Sequence, residues 1–237
     1  MTALLAGLVL WASAAAGQTN MGNDAAAFDN IARTLFKPIY PLLALQIKDD
    51  YGITKGVCVD AGSGPGYLAI ELAKITDLEI HSLDIDPKAS EIARRNVRDN
   101  GVEGKVKVVT ADVQKMPFPE NFAQLVISRG SYIFWPEKIR AFKEILRILK
   151  PGGTAFIGGG MGNLLHQDER RRIQDTMAEK NIGPPAELMV NFDEMGKILR
   201  EAGIPEFKLT TDEGCLCGLW VEFNKPAPKS GDNGKIP

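Results

Sequence analysis

The chain has 237 residues, with 28 lysines and arginines and 30 aspartates and glutamates, so its formal net charge is -2. This length is sufficient for one sizeable core, and the near balance of charge argues against a protein that binds nucleic acid through its phosphates. Three cysteines are too few for a disulfide framework, which favours a reducing compartment.

The N-terminal segment, residues 1–23, contains an apolar run followed by small residues that resemble a signal-peptide cleavage site. No lysine or arginine precedes the run, and it is shorter than the roughly 20 residues that a membrane span requires. We therefore expect a signal-like or disordered extension, no stable membrane span and a cytoplasmic protein. The alternative is an exported protein whose N-terminal signal is cleaved.

Two apolar helical patterns follow between Asp24 and Tyr51, and Pro38 and Pro41 interrupt the sequence between them. Helices at this position would cover the start of the fold. We expect a helical cover over residues 24–51, at the beginning of a single domain that extends over residues 24–225.

From Gly56 onwards, short β-rich runs alternate with helical segments up to Gly159. Pro87 and Pro136 suit the first turns of two of these helices. The alternation predicts an α/β fold with a doubly wound, mostly parallel sheet and helices on both faces. The predicted elements are strands 56–60, 78–84, 106–110, 124–128 and 154–159, and helices 67–74, 87–100 and 136–149.

The C-terminal third of the chain has a looser pattern. Residues 164–202 predict a charged helix and a shorter one, which would cover a substrate. Residues 206–224 predict two closing strands joined by a short turn at Asp212 to Gly214, which would complete a seven-stranded sheet with an antiparallel closing strand. Residues 226–237 are rich in proline, glycine and charge, which predicts disorder.

The stretch VCVDAGSGPGYLAIELAK, residues 57–74, places Asp60 at the end of the first strand and a glycine-rich turn before the next helix. Gly62, Gly64 and Gly66 let the backbone adopt positive φ and let a ligand approach the main chain. The spacing D-x-G-x-G-x-G differs from the dinucleotide fingerprint G-x-G-x-x-G, and an acid beside the turn would repel a pyrophosphate. The turn therefore favours a sulfonium ligand, S-adenosylmethionine, over a nicotinamide dinucleotide.

Two further acids follow the next two predicted strands. Asp84 ends the second strand, where a carboxylate can accept both hydroxyls of a ribose, and Asp112 follows the third, where it can accept from an adenine amine. Ile85 and Val113 would supply apolar faces to the adenine ring. Each acid alone could be a helix cap or a solvated turn, but acids after three successive strands together favour S-adenosylmethionine.

The segments VDAGSGPGYLAIELA, LDIDP, ADVQKMPF and LKPGGTAFIGG resemble the class I S-adenosylmethionine-dependent methyltransferases, over about residues 56–159 and the closing strands. The resemblance implies that Asp60 and the glycine turn hold the methionine part of the cofactor, Asp84 the ribose and Asp112 the adenine. One departure is Gln124, where family members often have an acid before the fourth strand. The residues expected to bind the cofactor are Asp60, Gly62, Ser63, Gly64, Gly66, Asp84, Ile85, Asp112, Val113 and Ser128.

The methyl acceptor would lie near the ends of the fourth and fifth strands. The segment SRGSYIFWP, residues 128–136, offers aromatic faces that can stabilise a sulfonium, although these rings could simply pack against the next helix. Arg129 could pair with an anionic acceptor or with the cofactor carboxylate. Methyl transfer needs orientation more than a base, so the catalytic residues stay open, with Arg129, Tyr132 and His166 as candidates.

Two features near the C-terminus have open interpretations. The glycine-rich segment GGGMGN, residues 158–163, could form a flexible lid, permit close approach of a bulky acceptor or be a plain mobile loop. Cys215 and Cys217 could bind a thiophilic metal or metalloid, but two thiols without further ligands favour small buried residues instead. We expect no metal site.

The sequence thus predicts a methyltransferase that uses S-adenosylmethionine and acts on a small-molecule acceptor by in-line displacement. It predicts no nucleic-acid partner and leaves the oligomeric state open. A non-catalytic S-adenosylmethionine-binding module is the first alternative, and a nicotinamide-dependent oxidoreductase is a less favoured second.

Overall fold

The computed structural model of the chain describes residues 24–213 and 218–227. Seven strands form one sheet in the order β3-β2-β1-β4-β5-β7-β6. The strands β1 to β5 are parallel, whereas β7 is antiparallel to both of its neighbours, β5 and β6. The strands are β1 (Lys55–Ala61), β2 (Asp77–Asp84), β3 (Val106–Thr110), β4 (Ala123–Arg129), β5 (Leu149–Gly158), β6 (Lys208–Thr210) and β7 (Trp220–Asn224).

Seven α-helices surround the sheet in the described part of the chain, and local capping fixes where several of them begin. The Asp24 carboxylate accepts from the backbone amides of Ala26 and Ala27, and the Asp86 carboxylate caps the helix that starts at Pro87. The helices are α1 (Ala25–Thr34), α2 (Ile39–Tyr51), α3 (Tyr67–Ile75), α4 (Pro87–Asp99), α5 (Lys138–Ile148), α6 (Gln167–Glu179) and α7 (Phe192–Glu201).

The sheet separates two buried apolar clusters. Successive residues of β1 alternate between them: Cys58 belongs to the cluster beneath α2 and α3, and Val59 to the cluster beneath α5 and α7. Both faces of the central strands are therefore buried, which explains why these strands read as nearly continuous apolar runs in the sequence. The predicted doubly wound α/β fold, with helices on both faces and an antiparallel closing strand, is confirmed.

The closing strands differ from the prediction in their bounds. The last strand starts at Trp220 rather than at residue 216, and the connection from β6 runs over residues 211–219 instead of the short turn expected at 212–214. Asp212, which lies in this connection, accepts hydrogen bonds from the loop after β5 through its side chain. Residues 214–217 of this connection, with Cys215 and Cys217, lie outside the described residues, as do the predicted extension 1–23 and residues 228–237 of the predicted tail.

Helix α1 is fixed across the edge of the sheet by one buried carboxylate. Asp29 accepts hydrogen bonds from the Tyr67 hydroxyl (2.9 Å), from Arg95 (2.9 Å) and from the Asn96 amide (3.0 Å). These bonds tie α1 to α3 and α4, so Phe28 of α1 is held over the turn between β1 and α3. Within the described residues, no helix is both long and apolar enough to cross a membrane.

Candidate active site

A cavity of about 540 Å³ lies at the carboxyl ends of the parallel strands. The strand order reverses between β1 and β4, and ligands of open α/β sheets bind at such a point. The loops after β1, β2 and β3 form one end of the cavity. The opposite end is formed by the loops after β4 and β5, together with side chains from α6 and from residues 184–189.

The glycine turn after β1 is held in place by backbone hydrogen bonds. Gly62, Gly64 and Gly66 all have positive φ, of 72°, 53° and 83°. The amides of Gly62 and Ser63 donate to the Leu83 carbonyl at 2.8 and 2.9 Å, which fixes the turn against the end of β2. A Cβ atom on Gly62 would overlap the Ser131 hydroxyl, so the close approach to the loop after β4 requires glycine there.

Asp60 is buried behind this turn and keeps one carboxylate oxygen, Oδ2, without a hydrogen-bond partner among the described residues. Burial, and secondarily the nearby Asp84 carboxylate, raises the pKa of Asp60 to about 7. This oxygen is enclosed and does not line the cavity, but its charge directly behind the glycine turn would favour a cationic group of a ligand bound there.

Asp84 lies at the end of β2 and links the loop after β1 to the loop after β2. Its Oδ2 accepts from the Gly64 amide at 2.8 Å and its Oδ1 from the Asp86 amide at 2.9 Å. Burial raises the pKa of Asp84 above its usual range. The next residue, Ile85, lines the cavity and is 66% exposed. Its side chain therefore offers an apolar face beside the carboxylate, against which a flat ligand group could pack.

Asp112 lies at the cavity wall after β3, but its carboxylate is already engaged. It accepts from the Gln114 backbone amide at 2.8 Å and from the Gln114 side-chain amide at 2.9 and 3.1 Å, which caps a short 3-10 turn, residues 113–115. Val113 is buried and also lines the cavity. A ligand amine that binds Asp112 must therefore compete with Gln114, a cavity residue that the sequence interpretation missed.

Besides Asp60, three of the predicted cofactor residues do not line the cavity. Ser63 accepts a hydrogen bond from the Ser82 hydroxyl at 2.7 Å, and Gly66 has its φ of 83° immediately before α3. Ser128 is buried and its hydroxyl pairs with that of Ser131 at 2.6 Å. Ser131 is the residue that reaches the cavity, and its hydroxyl donates to the Ala61 carbonyl at 2.9 Å.

Two of the three catalytic candidates line the cavity. The Arg129 guanidinium donates through Nε to the Gly160 carbonyl at 3.0 Å and lies over the rings of Phe36 and Tyr40, at 4.9 and 5.4 Å from their centroids. Tyr132 is 1% exposed, and burial raises its pKa to about 12. Its hydroxyl is therefore protonated at neutral pH and does not serve as a ready base.

His166 does not line the cavity. Its side chain is 80% exposed, and Nδ1 accepts from the Asp168 amide at 3.3 Å, which caps the start of α6. The sequence placed His166 just past the loop after β5, but the capping position turns the imidazole to solvent. The geometry gives this residue no contact with an acceptor.

The glycine-rich loop after β5 is held by the side chain of Asp212, and the lid and mobile-loop interpretations of it stay predictions. The buried Asp212 carboxylate accepts from the backbone amides of Met161 and Gly162 at 2.7 and 3.1 Å, and from the Trp220 indole at 2.7 Å. It also forms an ion pair with Arg170 at 2.7 Å. A Cβ atom on Gly160 would overlap the Asp212 carboxylate, so this close approach requires glycine.

The chemistry of the described side chains gives no sign of a resident metal. Among residues 24–213 and 218–227, no three histidine, cysteine, aspartate or glutamate side chains are grouped closely enough to hold an ion. The charged residues that line the cavity are Asp84, Asp86, Asp112 and Arg129. The three acids all lie at the end formed by β2 and β3, whereas the other end is mostly apolar, with Arg129, Ser131 and Gln174 as its polar side chains.

This fold and this arrangement of glycines and acids define a nucleotide-type cofactor site at the switch point of a Rossmann-like sheet. Residues 59–157 match the family described as "Methyltransferase domain". A solved protein of Methanococcus maripaludis, assigned to the S-adenosyl-L-methionine-dependent methyltransferases, is 36% identical and superposes with a TM-score of 0.79 over 92% of this chain and 99% of that one. The chain therefore belongs to the class I S-adenosylmethionine-dependent methyltransferase family.

Curated relatives match a smaller part of the chain. An uncharacterized methyltransferase of Bacillus subtilis is 33% identical over 45% of this chain and 58% of its own length. A ubiquinone/menaquinone biosynthesis C-methyltransferase of Vibrio cholerae is 30% identical over 69% of this chain and 62% of its own length. The chain thus spans less than two thirds of these curated relatives.

S-adenosylmethionine is the cofactor of this family, and the described residues fit it. The unpaired Asp60 oxygen suits the cofactor's ammonium, the bare glycine turn suits its methionine chain, and Asp84 beside Ile85 suits a ribose next to an apolar ring. The individual contacts of these residues with the cofactor remain predictions.

The raised pKa of Asp60 predicts a specific pH dependence of stability. The unfolded carboxyl titrates near 3.8 and the folded one near 7, so between these values the folded state holds a proton that the unfolded state has lost. The contribution of Asp60 is favourable below about pH 4 and is lost as the pH rises through 7. Asp60→Asn, which cannot ionise, should therefore be more stable than the wild type at pH 8.

Denaturant titrations of both proteins at pH 4.5 and pH 8 would check this expectation. The stability advantage of Asp60→Asn should shrink towards the lower pH, where the wild-type carboxyl is also neutral. An advantage of equal size at both pH values would show that Asp60 does not titrate in this range.

Proposed function

We propose that this protein transfers a methyl group from S-adenosylmethionine to a small-molecule acceptor. The observation that carries the proposal is the division of a single cavity into two ends. One end has the glycine turn and the carboxylates of Asp84 and Asp112, and the other is lined mostly by apolar side chains, among them Met161, Met177 and Met189. A donor and an acceptor could thus meet inside one enclosed space.

Bound at the polar end, the cofactor supplies an activated methyl group on a positively charged sulfur. The residues of the chain have to align the acceptor with that methyl group, and orientation of this kind can contribute about 7–11 kcal/mol to catalysis. The loop after β5, held by Asp212, and the buried segment 131–135 provide walls for this alignment. Phe28 of α1, Phe36 between α1 and α2, and Met177 of α6 line the cavity with apolar surface, which would limit the access of water to a bound donor and acceptor.

The size and charge of the cavity support a small acceptor. Helices α1 and α6 both contribute to its walls, which restricts the approach of a folded polymer. Arg129 is the only lysine or arginine among the described residues that line it, so nothing there resembles a groove for nucleic acid. The names of two relatives point the same way: a 2-methyl-6-phytyl-1,4-hydroquinone methyltransferase of Oryza sativa, 34% identical, and the Vibrio cholerae C-methyltransferase.

A second candidate is a protein that binds S-adenosylmethionine without transferring its methyl group. A relative of Rattus norvegicus, 30% identical over 161 residues, is named a mitochondrial arginine-hydroxylase, so members of this group are not all named for methyl transfer. None of the described cavity residues is an obligatory base, so the residue types alone do not separate the two candidates.

Two measurements test the proposed function. Calorimetric titration should give binding heat with S-adenosylhomocysteine and none with NADH. Incubation with methyl-labelled S-adenosylmethionine and an extract of the source cells should then place label in the fraction that passes an ultrafiltration membrane. Label retained with protein or nucleic acid would contradict a small acceptor, and binding without any transfer would favour the second candidate.

A further inference from the structure

Tyr132 is a buried tyrosine whose hydroxyl has no hydrogen-bond partner among the described residues. The side chain is 1% exposed, and burial is the only influence that shifts its pKa. The unpaired hydroxyl oxygen is not fully enclosed by protein, in contrast to the unpaired oxygen of Asp60, and the residue lines the cavity. A nine-tenths buried phenol on a cavity wall that keeps an unused donor is available to a ligand in that cavity.

The position of the ring shows which end of the cavity the phenol serves. Its Cε1 atom lies 3.7 Å from the point where a Cβ atom on Gly159 would stand, so the ring is packed against the end of β5. Trp135, four residues after Ser131, instead keeps its indole nitrogen 3.7 Å from the Cβ point of Gly62 and faces the glycine turn. Tyr132 therefore belongs to the acceptor end and Trp135 to the cofactor end.

The backbone holds Tyr132 firmly in this position. Ser131, the preceding residue, is bonded to the Ala61 carbonyl and to the Ser128 hydroxyl, and a 3-10 turn spans residues 132–134. A phenol on a fixed segment can select a ligand geometry, because little side-chain freedom is lost when the ligand binds.

The side chains that line the cavity at this end are mostly apolar, with Gln174 of α6 as a polar exception. Met161 comes from the loop after β5, Met177 from α6, and Met189 and Pro184 from the segment beyond it. Methionine side chains adapt to irregular apolar shapes, so this wall suits a hydrocarbon body. The acids that line the cavity stand at the other end, and the Arg129 guanidinium is engaged with the Gly160 carbonyl and two aromatic rings.

We infer that the methyl acceptor is an apolar molecule that carries an oxygen able to accept a hydrogen bond, and that Tyr132 donates its hydroxyl hydrogen to that oxygen. This inference rests on the proposed function and specifies the acceptor class for the same site. Tyr132 is then a specificity-determining residue: it selects acceptors that have such an oxygen and fixes how they lie against the cofactor. An acceptor without the oxygen would leave the phenol unpaired at a mostly apolar end of the cavity, which is unfavourable.

The test uses two probes of the same shape, 2-acetylnaphthalene, which has a carbonyl oxygen, and 2-isopropenylnaphthalene, which has a methylene group in its place. Their dissociation constants are measured by naphthalene fluorescence with protein saturated with S-adenosylhomocysteine. The wild type should bind the ketone about fivefold more tightly, as expected for one net hydrogen bond. In Tyr132→Phe the ratio should fall to about one, while the affinity for S-adenosylhomocysteine should stay within about twofold of the wild type.

Tyr51→Phe is the matched control. Its hydroxyl also has a raised pKa, but it donates to Glu222 at 2.6 Å and does not line the cavity, so this variant should keep the wild-type preference for the ketone. Absence of S-adenosylhomocysteine binding in the wild type would reject the proposed function itself. Normal S-adenosylhomocysteine binding with no ketone preference, with no binding of either probe, or with a preference that survives in Tyr132→Phe would reject only this inference.

Discussion

Replacement of Asp212 by alanine should lower the free energy of unfolding by about 3–5 kcal/mol, the usual cost of removing one partner from a buried ion pair. Arg170, which is 4% exposed, would be left charged without its carboxylate. The amides of Met161 and Gly162 and the Trp220 indole would lose their acceptor in the same step. Unfolding titrations with urea or guanidinium, monitored by circular dichroism, measure the change in the free energy of unfolding.

The matched control for this variant is Asp77→Ala. Asp77 also pairs with a cation, Lys105 at 3.3 Å, but its side chain is 72% exposed, so its removal should cost less than about 1 kcal/mol. Asp212→Asn keeps the shape of the side chain and should lie between the wild type and the alanine variant. A loss for Asp212→Ala no larger than that of Asp77→Ala would mean that the buried ion pair does not hold the loop after β5.

Replacement of Asp84 by alanine should weaken S-adenosylhomocysteine binding by about 12- to 150-fold, which corresponds to the roughly 1.5–3 kcal/mol of hydrogen bonds to a charged group. The carboxylate is predicted to accept the ribose hydroxyls, and it also accepts from the Gly64 amide, so its loss would loosen the glycine turn. Isothermal titration calorimetry provides the dissociation constants.

Two comparisons make this prediction sharper. Asp84→Asn keeps an acceptor oxygen for the Gly64 amide and should bind more tightly than Asp84→Ala. Asp112→Ala should have a smaller effect than Asp84→Ala, because Gln114 already uses the Asp112 carboxylate and a ligand gains only the difference between the two partners. Unchanged affinity in Asp84→Ala would show that the ribose is bound elsewhere.

The sequence predicted the architecture well because its signals are local and periodic. Strand runs, the proline Pro87 at the start of α4 and the glycine turn each occupy a few neighbouring residues, whereas Pro136, also expected in a first helical turn, precedes α5, which begins at Lys138. The topology rules for parallel sheets then bring the ends of β1, β2 and β3 to one edge. Asp84 and Asp112 line the cavity for this reason. Asp60, at the end of β1, lies just behind the glycine turn.

Side-chain pairing over long distances in the sequence has no such signature. Arg170 and Asp212 are 42 residues apart, and nothing in either segment indicates that they form one buried pair, so the loop after β5 read as potentially mobile. Ser131 lines the cavity in place of the predicted Ser128. It immediately precedes the short 3-10 turn at residues 132–134, which the apolar pattern of the sequence does not indicate. His166 was considered because it is close to the loop in sequence, yet its ring is used to cap α6.

The placement of Met177 and Met189 affects how readily this scaffold could be retargeted. Both residues lie outside the sheet and line the mostly apolar end of the cavity. Neither takes part in the hydrogen bonds that hold the glycine turn or in those that Asp212 accepts from the loop after β5. Replacing them with smaller or larger apolar residues would alter the shape of the acceptor end of the cavity and leave the residues of the proposed cofactor end unchanged. Directed evolution towards a new methylated product can therefore concentrate on these two positions.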